Sequence, residues 1–342
     1  MGDKQSGLDL EAPPPVAVSS LSSPTQEHLR PFDINCDLNP VADLVEQCFA
    51  DTLDPDGMNY LRQMRSAARN PVYLRWASVS VEQVSMPLSG YVWVEDNRVV
   101  GNLTLIPFTL HGRRSYLIAN VAVHPDYRRR GIARSLTIRA LEHARRKASG
   151  AVWLHVREDN QAALHLYRSL EFRERARRTT WQNSNPASGR ELRPEPLPLV
   201  RVIQRQPGHW TAQRAWLDAL YPSEINWHLN LNVSALKPGL LAGLYRLFAD
   251  IQVRQWSLAE GDRLLGVATW QSALSYTDHI WLAAPPDTEG FVAQVLLQHI
   301  QARMTTRRRP LTLDYPAGQA VQGIQAAGFE PKQTLIWMEQ RL

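Results

Sequence analysis

The sequence predicts an α+β protein made of two tandem units, each a mostly antiparallel mixed sheet flanked by helices. Three observations carry this prediction. Residues 89–181 alternate short β-branched runs with two amphipathic helical segments. A Pro-rich stretch, 183–198, then reads as a linker. Beyond it the pattern returns in weaker form. Glu260-Gly261-Asp262-Arg263-Leu264-Leu265-Gly266 echoes Glu95-Asp96-Asn97-Arg98-Val99-Val100-Gly101, and residues 320–329 echo 163–172, so the chain contains an internal repeat.

Taken in order, residues 1–28 are rich in Pro, Ser and Gly and are expected to form a disordered tail. Residues 29–34 suit a first strand. Asn39-Pro40 caps a helix whose apolar stripe is Val41, Leu44, Val45, Cys48 and Phe49. Asp54-Pro55-Asp56-Gly57 reads as a turn before a second helix with Met58, Leu61, Met64 and Ala68 inward. Residues 89–107 form a hairpin about Asp96-Asn97, and 116–123 is its partner strand. Pro125 ends that strand, and Arg128-Arg129-Arg130-Gly131-Ile132-Ala133-Arg134 leads into a helix with Ala133, Leu136, Thr137, Ala140, Leu141 and Ala144 on one face. A buried strand at 151–156 follows. Asp159 or Asn160 then caps a short helix burying Ala163, Leu166, Tyr167 and Leu170, and a last strand ends near Trp181. The expected domains are therefore 29–182 and 199–342, joined by 183–198.

The strand, the basic loop and the helix start make an anion site. Free N–H groups and the positive dipole end point the same way, Gly131 lets backbone approach a phosphate, and arginines on both sides add charge-assisted bonds. Arg128-x-x-Gly131-x-Ala133 after Val121-Ala122-Val123 resembles the coenzyme A pyrophosphate loop of the GNAT (Gcn5-related N-acetyltransferase) family. A solvated arginine turn would give the same short motif, but Asn160-x-x-Ala163-x-x-x-Tyr167 and Phe172 resemble the family's next block at the expected distance. The resemblance implies a sheet splayed at its middle, with acetyl-CoA as co-substrate lying in the gap. It implies that Val121, Ala122 and Val123 offer backbone groups to the pantetheine arm. Arg128, Arg129, Arg130, Gly131, Ile132, Ala133 and Arg134 would hold the pyrophosphate, and Asn160 would touch the cofactor. Tyr167 would bind near the sulfur and protonate the departing thiolate. Glu171 departs from the family pattern, which has Gly there; a left-handed residue other than Gly costs on the order of 1 kcal/mol.

The second copy departs further. Aligning Pro286-Asp287 with Pro125-Asp126 puts Glu289 at the place of Arg128, where it would repel a pyrophosphate. Ile324 falls at Tyr167 and Ala317 at Asn160. The C-terminal unit is thus expected to be degenerate, shaping the substrate site or the structure. Its tryptophans, Trp210, Trp216, Trp227, Trp256, Trp270, Trp281 and Trp337, are expected mostly to fill a core. The two units are expected to dock, the second partly walling an acceptor cleft near the helices at 40–50 and 58–68.

Composition bounds the alternatives. The 342 residues are 44% hydrophobic and 21% charged, enough for two domains. No apolar run is long enough for a membrane span and no signal core follows Met1, so the cytoplasm is the expected compartment. Gly2 with Ser6 fits a short myristoylation pattern, read here as a chance match. Cys36 and Cys48 make neither a disulfide framework nor a zinc site, and no metal is expected. The net charge of +5 lies in scattered arginine groups with no helix-turn-helix or RNA-binding signature, so nucleic acid is not an expected partner.

The expected function is acetyl transfer from acetyl-CoA to a small-molecule or peptide amine, catalysed by the N-terminal unit of a monomer (a pseudo-dimer within one chain) or a homodimer. The base is open among His155, Glu158 and an ordered water, because Asn120 is the only polar side chain on the strand where many relatives of the family carry Glu. A non-catalytic acyl-CoA sensor or scaffold is the alternative from another class; Asn160 and Tyr167 speak against it, since a binding module has no use for a general acid. Transfer of a longer acyl chain is a third. Mycothiol synthases share the tandem plan, but with the active unit second, so their substrate is not carried over.

Overall fold

A computed structural model describes residues 28–70, 72, 74, 89–183, 200–229, 231–239, 246, 250–273, 275–304 and 309–342. The expected tail up to residue 27 and the linker from residue 184 lie outside these residues.

The first half runs β1 (Leu29–Pro31), α1 (Leu38–Phe49), α2 (Pro55–Ala68), β2 (Ser89–Glu95), β3 (Arg98–Leu110), β4 (Arg113–Val123), α3 (Ile132–Arg146), β5 (Ala151–Arg157), α4 (Gln161–Ser169) and β6 (Arg173–Asn183). The second runs β7 (Val200–Gln204), α5 (Trp210–Leu220), α6 (Ser223–Asn226), α7 (Val233–Leu236), β8 (Val253–Glu260), β9 (Arg263–Gln271), β10 (Asp278–Ala283), α8 (Glu289–Met304), β11 (Leu311–Pro316), α9 (Val321–Ala326) and β12 (Glu330–Arg341). The repeat is visible in this order, hairpin–strand–helix–strand–helix–strand in each half.

Local chemistry accounts for most of these bounds. Asp96 and Asn97 both have positive φ, 48° and 59°, the type I′ requirement of a two-residue hairpin. Asp54 is the cap of α2, its side chain accepting from the Gly57 N–H at 2.7 Å, so the expected turn is the helix's own first turn. Leu61 and Met64 are buried as expected, but Met58 faces outward. Helix α1 begins before Asn39-Pro40, at Leu38; Asp37 makes no capping bond and is drawn off by Arg30 and the Asp33 N–H. In α4 the buried side chains are Leu164 and Tyr167, with Ala163 and Leu166 only half-buried. Glu171 takes φ +65° where its repeat partner Gly328 takes +78°. The turns match: Phe172 N–H donates to the Tyr167 carbonyl at 3.0 Å, and Phe329 N–H to that of Ile324 at 3.3 Å.

All twelve strands join one sheet in the order β1-β2-β3-β4-β5-β12-β6-β11-β10-β9-β8-β7. The two halves are therefore interlocked. β12, the last strand of the second half, lies antiparallel between β5 and β6 (Trp337↔His155 and Trp337↔Ala176), while β6 pairs with β11 (Leu313↔Trp181). Each half's final strand completes the other half's sheet. The cleavage of the sequence into 29–182 and 199–342 thus cuts a continuous hydrogen-bond ladder.

Apolar stripes place the helices. Ile132, Leu136, Ala140, Leu141 and Ala144 of α3, with Leu164 and Tyr167 of α4, cover Leu103, Leu105, Val152, Leu154 and Val156. α1 and α2 pack over Val92 and Ala122 on the opposite face. There, too, the segment carrying α5, α6 and α7 covers Leu117, Trp153 and Trp337. Trp270, Trp281 and Trp337 are buried, as the core reading of the tryptophans expected.

Candidate active site in the first half

β4 and β5 run parallel and paired only from Ser115↔Ala151 to Ile118↔Leu154. Past that point they part, and the gap is bordered by residues 119–123 and 155–157. A bulge helps to open it: β4 pairs to β3 through Asn102↔Ala122 and then Thr104↔Ala119, so Asn120 and Val121 together oppose Leu103. Asn120 has φ +50°, a region that Asn tolerates better than most residues. Buried Asn102 holds it there, its Nδ2 donating to the Asn120 carbonyl at 2.9 Å.

The end of β4 presents polar backbone to the gap. His124 N–H donates to the Val100 carbonyl at 2.8 Å and Gly101 pairs with Val123. By antiparallel alternation, the Val123 N–H and carbonyl then point away from β3. The carbonyl is engaged by Arg128 Nε at 3.2 Å and by the Cys48 thiol at 3.3 Å. The N–H has no acceptor among the described residues.

Beyond β4, a single 3-10 turn (Pro125–Tyr127) leads to the mouth of α3. Arg129 and Gly131 take φ +67° and +80°, which turns the chain into the helix. No side chain caps α3, and none of the described residues accepts from the N–H groups of Ile132, Ala133 or Arg134. A Cβ built on Gly131 would meet nothing within 4 Å, so the space before these donors is open. The arginines divide. Arg128 folds back onto Val123. Arg130 stacks on Tyr127 (4.8 Å) and bonds Glu95 (3.5 Å), while Arg134 donates to Ser169 Oγ at 2.8 Å and links α3 to α4. Arg129 is exposed beside the mouth.

α4 brings the remaining candidates. Asn160 caps it, Oδ1 accepting from the Ala163 N–H at 3.1 Å, which leaves Nδ2 to donate elsewhere. Tyr167 packs its ring on Phe172 and inside the α3–α4 core, and its hydroxyl bonds no described residue. Burial pushes its pKa up, so it carries its proton at neutral pH.

On the opposite face, α2 and the second half bring together residues that no sequence motif marked. Asn120 Nδ2 donates to the Tyr60 hydroxyl at 3.2 Å, and burial raises Tyr60 to about 12. His155, the first residue past the last β4–β5 pair, lies against Trp337 (4.1 Å) and His228 (4.5 Å), with Trp227 at 6.1 Å. Trp227 stacks on Phe108 at 3.8 Å. The Tyr276 N–H donates to Asp56 at 3.1 Å, tying a second-half loop to α2. Tyr60 sits on an ordinary amphipathic helix and Trp227 is distant in sequence, so no local spacing marked either. Of the candidate bases, Glu158 is paired with Arg177. Burial, chiefly, and then His228 hold His155 well below the ordinary imidazole pKa.

The equivalent place in the second half carries a negative charge. Glu289 opens α8, and its carboxylate accepts from the Tyr315 hydroxyl at 3.2 Å. α9 presses on the same turn, so that a Cβ on Gly323 would lie 1.9 Å from the Gly290 carbonyl oxygen. On β6, buried Arg178 is ion-paired with Asp314 of β11 and donates to the Leu220 carbonyl at 2.8 Å. No described cluster of His, Cys, Asp and Glu could hold a metal ion, and no described helix is long and apolar enough to cross a membrane.

A splayed β4/β5 gap, a bulged strand end and an uncapped helix mouth thus meet at one end of the first half's sheet. The sequence model of the acetyltransferase (GNAT) family matches residues 54–172, and the fold of the chain is that of a tandem GNAT protein. A tandem GNAT protein from the clavulanic acid biosynthesis pathway covers 92% of this chain and 98% of its own, with TM-score 0.52 and 14% identity. A GCN5-related N-acetyltransferase from Sphaerobacter thermophilus covers 92% and 95%, with TM-score 0.55 and 15% identity. These two show the fold. Among curated proteins, the ribosomal protein bS18 alanine N-acetyltransferase of Escherichia coli K12 is 42% identical over 55 residues, 16% of this chain and 37% of its own. A mycothiol acetyltransferase from Saccharopolyspora erythraea is 46% identical over 52 residues, 15% of this chain and 17% of its own. The chain thus spans well under half the length of either relative.

Proposed function

We propose that the protein is an N-acetyltransferase that moves the acetyl group of acetyl-CoA to a primary amine, using the first half alone. The observation that carries this reading is the row of unpaired N–H groups at the open mouth of α3, set beside an unpaired Val123 N–H and a protonated Tyr167. The residues present fit coenzyme A: the N–H groups of residues 132–134 and the charge of Arg129, Arg130 and Arg134 suit a pyrophosphate. Gly131 admits it without steric contact. Val123, with Val121 in the bulge before it, borders the gap in which a pantetheine arm would lie and Asn160 Nδ2 is available to it, whereas the Ala122 backbone, expected to serve the same arm, is paired with Asn102 of β3. Arg128 Nε and the Arg128 backbone shape the strand end; its guanidinium borders both the gap and the loop.

In this reading the Val123 N–H donates to the thioester carbonyl and stabilises the oxyanion as the amine nitrogen adds to carbon. The C–S bond then breaks, and the sulfur takes the Tyr167 proton. In this reading the second half supplies no second cofactor site, since Glu289 sets a negative charge at the equivalent helix start and would repel a pyrophosphate. It serves as the partner strand of β5 and as a wall of the acceptor cleft.

Thiol release from acetyl-CoA in the presence of a panel of amines tests the reading. Tyr167→Phe keeps the packing and removes the proton donor, so kcat should fall by roughly 10²-fold with little change in the KM for acetyl-CoA. Undiminished turnover would return Tyr167 to the core and favour a binding role for the fold.

A further inference from the structure

Arginines that stand in scattered groups along the sequence are gathered by the fold at one end of the sheet, the end away from the mouth of α3. β4, β5 and β6 begin there and β12 ends there: Ser115 pairs with Ala151, Arg341 with Ala151, and Arg173 with Glu339. Helix α3 finishes at the same place. The Ser149 N–H donates to the Ala144 carbonyl at 3.1 Å and the Gly150 N–H to the Arg114 carbonyl at 2.8 Å, which ties the helix end to the strand starts. Arg113 lies over this junction; a Cβ built on Gly150 would stand 3.1 Å from its Nε. Arg145 and Arg146 flank it on the last turn of α3, and Arg341, Arg175 and Arg173 continue the row across β12 and β6. All six are exposed. Arg175 and Arg341 share the Glu339 carboxylate, at 2.5 and 3.2 Å. The side chains of Arg113, Arg145, Arg146 and Arg173 bond no described residue, whereas Arg114 and Lys147 nearby have partners of their own. Among the neighbouring carboxylates, Glu142 is held by Arg139 at 3.0 Å and Glu174 by Arg177 at 3.1 Å. That leaves Glu171, on the turn before β6, and Glu224, next to the Ser223 that bonds His111.

A helix C-terminus favours cations, so Arg145 and Arg146 have a local reason for their place. Strand ends carry no comparable dipole, and Arg113 and Arg173 have no such reason. Like charges drawn together from four elements repel one another unless an anion from outside answers them. We propose that this end of the molecule binds the phosphate backbone of a nucleic-acid duplex without reading its bases. The unpaired cations are all arginines, whose planar fork matches two phosphate oxygens at once. Apolar anchors are missing. Among the described residues the exposed large apolar side chains are Met58, Val72 and Tyr276, on other elements, and Ile138, two turns back along α3. A protein partner would need aromatic or aliphatic anchors and a membrane would need apolar side chains to insert, whereas a phosphate backbone is held by charge alone. Single strands are gripped by stacking their bases on exposed rings, and no described Phe, Tyr or Trp is exposed here, so the duplex is the form that fits. Three strand spacings of about 4.8 Å set β4 and β6 about 14 Å apart, a span that meets several phosphates. α3 has 15 residues, so this surface stands about 22 Å from the helix mouth and leaves it open.

The test is fluorescence anisotropy of labelled duplexes of about 20 base pairs, DNA and RNA, titrated with the full chain from about 50 to 200 mM salt. The proposal expects both to bind whatever their base sequence. The logarithm of the binding constant should fall against log salt with a slope of roughly −3 to −5, at about 0.9 for each phosphate neutralised. Arg145→Glu combined with Arg146→Glu should weaken duplex binding at least about tenfold, and Arg173→Glu, on another element, should weaken it too. Calorimetry should find acetyl-CoA affinity unchanged in both variants, which shows that they fold. Absence of duplex binding near 50 mM salt would overturn the proposal. So would binding that the variants leave intact or that acetyl-CoA displaces, since the phosphates would then sit at the mouth of α3. Polyglutamate held as tightly as either duplex would make the partner an acidic polypeptide, and anionic phospholipid vesicles bound in preference to both would make it a membrane; either result contradicts the proposal.

Discussion

At the scale of single residues, the site depends on groups kept uncharged by burial. Tyr167 keeps its proton because its ring is enclosed by the α3–α4 core, and His155 loses its own because Trp337, Trp227 and His228 surround it. The second fact has a stability consequence. The folded-state pKa of His155 and of His228 lies below the unfolded value of about 6.5, so the unfolded chain binds more protons as pH falls through that value. Their contribution to stability is complete above pH ~6.5 and is lost progressively below it. Thermal unfolding should therefore occur at a lower temperature at pH 5.5 than at pH 7.5. His155→Phe, which keeps a ring between Trp227 and Trp337, should reduce that difference; an equal acid-induced drop in both proteins would show that the two imidazoles are not its source.

At the scale of elements, helix α3, the hairpins and the Asn160 helix were legible because each rests on local rules. Asp96-Asn97 dictates its turn, Asn160 caps its helix, and the stripe from Leu136 to Ala144 faces the sheet. Docking of the second half beside the early helices was expected from the repeat, but its contacts were not legible, since Tyr60 meets Asn120 and Trp227 meets Phe108 only through tertiary packing. The path of β6 and β12 was equally hidden. Either strand has the composition to pair with β5, and nothing local distinguishes them. Their exchange changes what the first half can do alone. A chain ending at Asn183 would leave β5 with an unpaired, apolar edge and would uncover Trp153 and His155, which Trp337 now shields. Such a fragment is expected to aggregate or to bind no acetyl-CoA, and co-expression with residues 199–342 as a second polypeptide should restore a soluble, binding complex. Sedimentation and calorimetry on both preparations check this. A soluble solitary fragment with full affinity would mean that β6 can take the place of β12.

At the scale of the whole molecule, the two repeats differ in charge and packing at the equivalent helix starts. In the first half Gly131 faces open space and the first-turn N–H groups have no acceptors. In the second, Glu289 carries a carboxylate bonded to Tyr315, and α9 packs Gly323 against the Gly290 carbonyl. In the proposed reaction the second half would act through β12 and through the contacts of Trp227. The central claim is that one working site exists per chain, at the mouth of α3. Calorimetric titration of the full chain with acetyl-CoA measures it directly, alongside a Gly131→Val chain in which a branched side chain must adopt positive φ in that mouth. The account predicts a stoichiometry of one for the natural sequence and weakening of at least about tenfold, some 1.4 kcal/mol, for the variant. A stoichiometry near two, or unchanged affinity in the Gly131→Val chain, would contradict it.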